Sequence, residues 1–151
     1  MGSGVRLALP MHIVELNGRQ DEPVVLSVLM QSHGSVAALE EARAHYRSGE
    51  WLFIGWQEGD EILACAGAEQ HPNATIGINS IAVAPGWRNR GLASALIGAL
   101  VERMGAERIV AETDDDAVGF YRSCGFTIED KAPKFGHRRY WCVRAVSARH
   151  S

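Results

Sequence analysis

The chain has 151 residues, 46% of them apolar and 22% charged, with a formal net charge of −3. That length suits one domain with a core of its own, and no apolar run approaches the ~20 residues of a membrane span. The mild negative charge excludes a global attraction to nucleic acid or anionic membrane, so an anionic ligand must be met by local chemistry. Residues 1–10 lack the long apolar stretch of a secretory leader and read as a flexible lead or cloning remnant; the expected location is the cytoplasm. Residues 11–146 are expected to form the single domain and 147–151 a tail. Cys65, Cys124 and Cys142 are odd in number and form no C-x-x-C pair, which argues against a disulfide framework or structural zinc. They are expected to be core thiols, and no metal is expected.

The elements alternate in type. A strand around Met11 to Leu16 leads to a helical region from about Asp21 to His33, and a second helix runs from Ser35, a capping residue, to Arg47 before Gly49. Trp51 to Trp56 and Glu61 to Ala68 read as a hairpin about Gln57-Glu58-Gly59-Asp60. In the next strand, Thr75 to Ala84, Ile76 and Ile78 share one parity while Ile81 and Val83 take the other. That slip at Asn79-Ser80 predicts a bulge, which would bend the strand and open its ladder. A helix from about Asn89 to Met104 places Leu92, Leu96, Ala99 and Leu100 on one face and ends at Gly105. The strand Arg108 to Glu112 then completes a strand-helix-strand unit with parallel pairing. Thr113 is expected to cap a further helix with Asp114, Asp115 and Asp116 at its positive end. Strands near Phe126 to Glu129 and Arg139 to Val146 close the sheet.

The segment Arg88-Asn89-Arg90-Gly91-Leu92-Ala93-Ser94 puts small residues at a helix start, where up to four backbone N–H groups lack intrahelical partners. Gly91 and Ala93 permit close approach, the helix dipole favours negative charge, and Arg88 and Arg90 supply guanidinium donors. The expected ligand is a phosphate or pyrophosphate. The chain has no G-x-x-x-x-G-K-S/T and no G-x-G-x-x-G after a strand, which removes the main support for nucleotide triphosphatase and dinucleotide readings.

Two segments resemble the GNAT family of N-acetyltransferases. Its signature R/Q-x-x-G-x-G/A is matched by Arg88, Gly91 and Ala93, after a strand reading Ile81-Ala82-Val83-Ala84-Pro85. Its second signature, N-x-x-A-x-x-F-Y-x-x-x-G-F, is similar to Asp114 through Phe126, with Ala117, Phe120, Tyr121, Gly125 and Phe126 in register. The resemblance implies an α/β fold with a mixed, mostly antiparallel sheet of about seven strands flanked by about four helices, splayed beside a bulged fourth strand. It further implies acetyl-CoA as cosubstrate, with the pyrophosphate on the amides from Arg88 to Ser94 and the pantetheine arm along Ile81, Ala82 and Val83. Tyr121 would contact the cofactor and protonate the departing thiolate. Asp114 stands where many members have asparagine, so the amide contact to the cofactor would be weakened, replaced by a neighbour, or made by the acid acting only as acceptor.

A phenol of reference pKa about 10 protonates a thiolate of about 8.5 only uphill, so desolvation or concerted collapse must help. The attacking amine must also be neutral, which at pH 7 costs about 4.6 kcal/mol for a lysine-like amine and about 1.4 kcal/mol for an α-amine. Candidate bases are Glu112, acting through a water held by Asn79 or Ser80, and also Glu69 and His71. The same Asn79, Ser80 and Glu112 are the expected substrate-side residues, with His137 on the rim. Cys124 lacks an evident partner, so direct attack in a ternary complex is expected rather than an acyl-enzyme. The acceptor expected is a primary amine of a small molecule or amino acid, on a monomer or homodimer. Open alternatives are a protein amino-terminal or lysine acetyltransferase and a non-catalytic acyl-CoA sensor.

Overall fold

The computed structural model describes residues 12–134 and 137–146. The lead at 1–10, Met11, the tail at 147–151 and the side chain of His137 lie outside the described residues.

Strand β1 (Ile13–Glu15) precedes helix α1 (Pro23–Leu29), which starts on Pro23, where the missing N–H costs nothing. The expected helical region to His33 is α1 followed from Met30 by a 3-10 turn, Met30–Ser32, after which His33 is extended. Helix α2 (Val36–Ser48) is bounded as expected: Ser35 accepts from the amide of Ala38 at 3.1 Å, and Gly49 closes it at φ 82°. Strands β2 (Leu52–Glu58) and β3 (Glu61–His71) form the hairpin, and β4 (Thr75–Val83) returns antiparallel to β3. Helix α3 (Leu92–Met104), β5 (Arg108–Thr113), helix α4 (Val118–Ser123), β6 (Thr127–Lys134) and β7 (His137–Ala145) follow.

Two boundaries differ from expectation for local reasons. Helix α3 begins at Leu92, not Asn89, because Asn89 and Gly91 sit in the left-handed region at φ 63° and 80°. Helix α4 starts only at Val118, with Ala117 at its cap position and no side-chain cap: Thr113 pairs with Tyr140 in the sheet, and Asp114 Oδ1 accepts from the amides of Asp116 and Ala117 at 3.0 and 3.2 Å in the turn before the helix.

The seven strands form one sheet in the order β1-β2-β3-β4-β5-β7-β6, antiparallel except for β4 and β5. On one face lie α3 and α4, with Leu96, Ile97, Leu100, Ile109 and Tyr121 in the larger core cluster. On the other, Val25, Leu29, Ala42, Tyr46 and Phe53 pack under α1 and α2. Strand β3 is threaded between these cores by small residues. A Cβ on Gly67 would fall 1.8 Å from the Tyr46 hydroxyl. Gly67→Ala should therefore displace Tyr46 and cost about 1–3 kcal/mol in overpacking, measured by urea unfolding. An unchanged midpoint would show that Tyr46 has slack.

The parity slip in β4 is present as a break in register. Ala68 pairs with Ile78 but Gly67 pairs with Ser80, so Asn79 is the extra residue of a bulge. Before the bulge Ile76 and Ile78 face α3; after it Ile81 and Val83 do so, and Ser80 and Ala82 turn to the α1 and α2 side. The β4 ladder with β5 spans only Thr75–Arg108, Ile76–Ile109 and Gly77–Val110. Beyond Gly77 the two strands part, and a split opens in the middle of the sheet.

Candidate active site

One end of the split is the turn from β4 into α3. Gly86, Asn89 and Gly91 all have positive φ, a run that glycine and asparagine tolerate and that bends the chain directly into the helix. The first intrahelical bond runs from the amide of Ala95 to the carbonyl of Gly91 at 3.0 Å, leaving the amides of Leu92, Ala93 and Ser94 in the first turn without intrahelical acceptors. A Cβ on Gly91 would meet nothing within 4 Å, so the approach to these amides is open from the protein side. These features fit a pyrophosphate. Arg90 lies over the Trp87 ring at 4.9 Å, whereas Arg88 reaches back along β4, its Nε donating to the Val83 carbonyl at 3.2 Å and its Nη2 to Gln31 at 3.0 Å. The carbonyl of Val83 on the open side is thus already engaged, and since Ala82 pairs with Cys65 of β3, the backbone of Ile81 and the amide of Val83 carry the remaining edge.

Tyr121 comes from α4 on the same side as α3. It is 4% exposed, and the rings of Phe120 and Phe126 meet it edge-on at 5.1 and 5.2 Å. Burial, reinforced by Cys142 and Cys124, pushes its phenol well above the ordinary value of 10.0, so it is a donor throughout the neutral range. Its hydroxyl has no side-chain partner among the described residues. The hydroxyl is not among the buried polar atoms left without a partner, so it opens to accessible space with its donor available to a ligand. Cys124 is half-buried rather than part of the core, with its Sγ 3.4 Å from the hydroxyl of Ser94; Cys65 and Cys142 are buried thiols, Cys65 pushed up to about 12 by desolvation. Among the described residues no group of histidine, cysteine and carboxylate side chains is arranged to hold a metal.

Glu112 does not stand free at the end of β5. Lys131 Nζ donates to its Oε1 at 2.9 Å and Arg139 Nε to its Oε2 at 3.0 Å. The Lys131 bond first, then that of Arg139, lowers its pKa against the opposing effect of burial. A carboxylate so paired is a poor proton acceptor at neutral pH.

Beneath the bulge, on the face of α1 and α2, is a cavity of ≈ 640 Å³ lined by Asn79 and Glu69 from the sheet, His33, Glu41, Ala42 and His45 from the helical side, and Trp51. Glu69 pairs with His71 at 3.4 Å. The Nδ2 of Asn79 is buried without a hydrogen-bond partner among the described residues, a further mark of the bulge's unpaired state. Ser80, 2% exposed, shares its hydroxyl with Tyr46 at 2.6 Å and His33 Nε2 at 2.8 Å. Neither His33 nor Tyr46 stands out in the sequence: each lies in a different helical segment from the strand it serves, and no local pattern links them.

A sheet parted beside a bulged strand, with free amides at one end of the gap and a buried phenol beside it, is the scaffold of an acyl-transfer enzyme. The profile of the acetyltransferase (GNAT) family matches residues 22–126. A comparison with curated protein sequences gave no match. Similar solved structures include an aminoglycoside 6'-N-acetyltransferase complexed with coenzyme A, 16% identical with a TM-score of 0.71 over 93% of this chain and 100% of that one. The ribosomal-protein-S18-alanine N-acetyltransferase from Escherichia coli is 19% identical, with a TM-score of 0.68 over 91% of this chain and 95% of the other. A GNAT family acetyltransferase from Elizabethkingia anophelis with acetyl-CoA bound is 16% identical, with a TM-score of 0.65 over 91% and 100% of the respective chains. The chain belongs to the acetyltransferase (GNAT) family and is an acyl-CoA-dependent N-acyltransferase.

Proposed function

We propose that the chain moves the acetyl group of acetyl-CoA to a primary amine of a small molecule or amino acid, by direct attack in a ternary complex. The observation that carries this reading is the split between β4 and β5 with the unpartnered Tyr121 hydroxyl beside it. The amides of the first turn of α3, with Asn89, Arg90 and Gly91 before it, hold the pyrophosphate, and Arg88 braces β4 from Val83 to Gln31. The backbone of Ile81 and the amide of Val83 guide the pantetheine arm, with Ala82 between them held to Cys65 of β3. The carboxylate of Asp114, engaged by the amides of Asp116 and Ala117, orders the turn that leads into α4 and so the position of Tyr121. Tyr121 donates its proton to the departing thiolate. The amine enters from the cavity on the opposite face, whose size and carboxylate lining suit a small cationic acceptor. Glu112, committed to Lys131 and Arg139, contributes to the charge on that side of the sheet instead of taking the proton.

Thiol release from acetyl-CoA in the presence of a diaminoalkane, glucosamine, an amino-acid amide and an alanyl peptide tests this. Release that depends on one of the small amines is expected. Acetylation of the peptide alone would make the protein a protein acetyltransferase, and tight acetyl-CoA binding with no acceptor-dependent release would make it a sensor.

A further inference from the structure

Acetyl transfer to an amine leaves a proton that some group must accept, and the pairing of Glu112 leaves that position vacant in the mechanism. His33 closes the 3-10 turn between α1 and α2 and is half-buried against the sheet. It lines the cavity together with the bulge residue Asn79. Its Nε2 lies 2.8 Å from the hydroxyl of Ser80, the residue after the bulge, and Ser80 is in turn 2.6 Å from the hydroxyl of Tyr46. Tyr46 is fully buried, stacked on Phe53 at 4.1 Å and seated in the space that Gly67 leaves. The imidazole is therefore anchored through two hydroxyls to the core, at the point where the strand is bent.

We propose that His33 is the residue that accepts the proton of the attacking amine, with Ser80 as its positioning partner. The proposal rests on the acetyl-transfer reading. The amine nitrogen forms a bond to the thioester carbon, the carbon–sulfur bond breaks with its electron pair on sulfur, and Tyr121 protonates that sulfur. The proton lost by the amine passes to Nδ1 of His33 while Nε2–H donates to Ser80 Oγ. Burial lowers the pKa of His33 below the ordinary 6.5, so the neutral ring that can accept a proton prevails at pH 7. The titratable groups around the same cavity are Glu41 and His45 of α2, Glu50 after it and Glu69 of β3, with Tyr46 behind Ser80. Their carboxylates favour the imidazolium once it forms.

Two measurements on the full chain test this: ring-nitrogen NMR of His33, assigned with His33→Asn, and kcat against pH with acetyl-CoA and the fastest amine of the panel. The neutral ring should carry its proton on Nε2. His33→Asn should lower kcat about a hundredfold and abolish the acid limb of kcat, with acetyl-CoA affinity retained. Ser80→Ala should move that limb, which a purely structural role would leave in place. A neutral ring protonated on Nδ1 overturns the proposal, as does an acid limb that survives His33→Asn or that vanishes in Glu69→Gln instead. Wild-type silence toward every amine overturns the transfer reading and this proposal with it; an active wild type matched by His33→Asn overturns this proposal alone.

Discussion

Tyr121→Phe is expected to lower kcat for acetyl transfer by about a hundredfold or more while leaving the affinity for acetyl-CoA within about twofold. The ring stays, so its contacts with Phe120 and Phe126 and the burial of α4 stay with it. Only the hydroxyl is lost, and it has no side-chain bond among the described residues whose removal would unsettle the fold. Single-turnover kinetics beside calorimetric binding separate the two quantities. The pH dependence adds a sign. Because burial raises the phenol above 10.0, its protonated form persists past that pH, and kcat should show no alkaline fall attributable to an ordinary tyrosine. Unchanged turnover in the phenylalanine variant would remove Tyr121 from the chemistry.

The second large effect is expected on binding. Gly91→Ala should weaken acetyl-CoA by about tenfold, about 1.4 kcal/mol, because a methyl group is placed at the first turn of α3 and the left-handed backbone is strained. Strain alone is controlled by Gly105→Ala at the other end of the same helix, where φ is 64° and the added Cβ also meets nothing within 4 Å. Both variants should lose comparable stability on thermal unfolding, about 1–2 kcal/mol, and only the first should lose affinity. Equal affinities would mean that the amides of Leu92 to Ser94 do not carry the pyrophosphate.

What the sequence made legible was what local periodicity encodes. Ile76, Ile78, Ile81 and Val83 revealed the bulge because side chains alternate across a strand, and one extra residue reverses every position beyond it. The start of α3 was placed three residues early because small and polar residues at a helix entry do not declare their own φ. Asn89 looks helical by spacing and is left-handed in fact. The substrate side was largely illegible. His33 and Tyr46 reach Ser80 across 47 and 34 positions of chain, and Lys131 and Arg139 reach Glu112 across 19 and 27. Such meetings depend on strand order and on which face each side chain takes, neither of which a local pattern contains. The same distances explain why Glu112 looked like a base: its neutralising partners are contributed by the last two strands.

The short β4–β5 ladder also bears on solubility. A strand rim without a ladder partner, when it lies on the outside of a sheet, is a template on which another chain can add a strand and start an aggregate. Here the open rims belong to β4 and β5, in the interior of the strand order, with α3 and α4 across one face and α1 and α2 across part of the other. A second polypeptide would have to bring its side chains past those helices to reach them. A slender linear molecule would not. The bulge at Asn79 thus gives the protein hydrogen-bonding capacity screened by shape, withheld from neighbouring copies of the chain and offered to a narrow ligand.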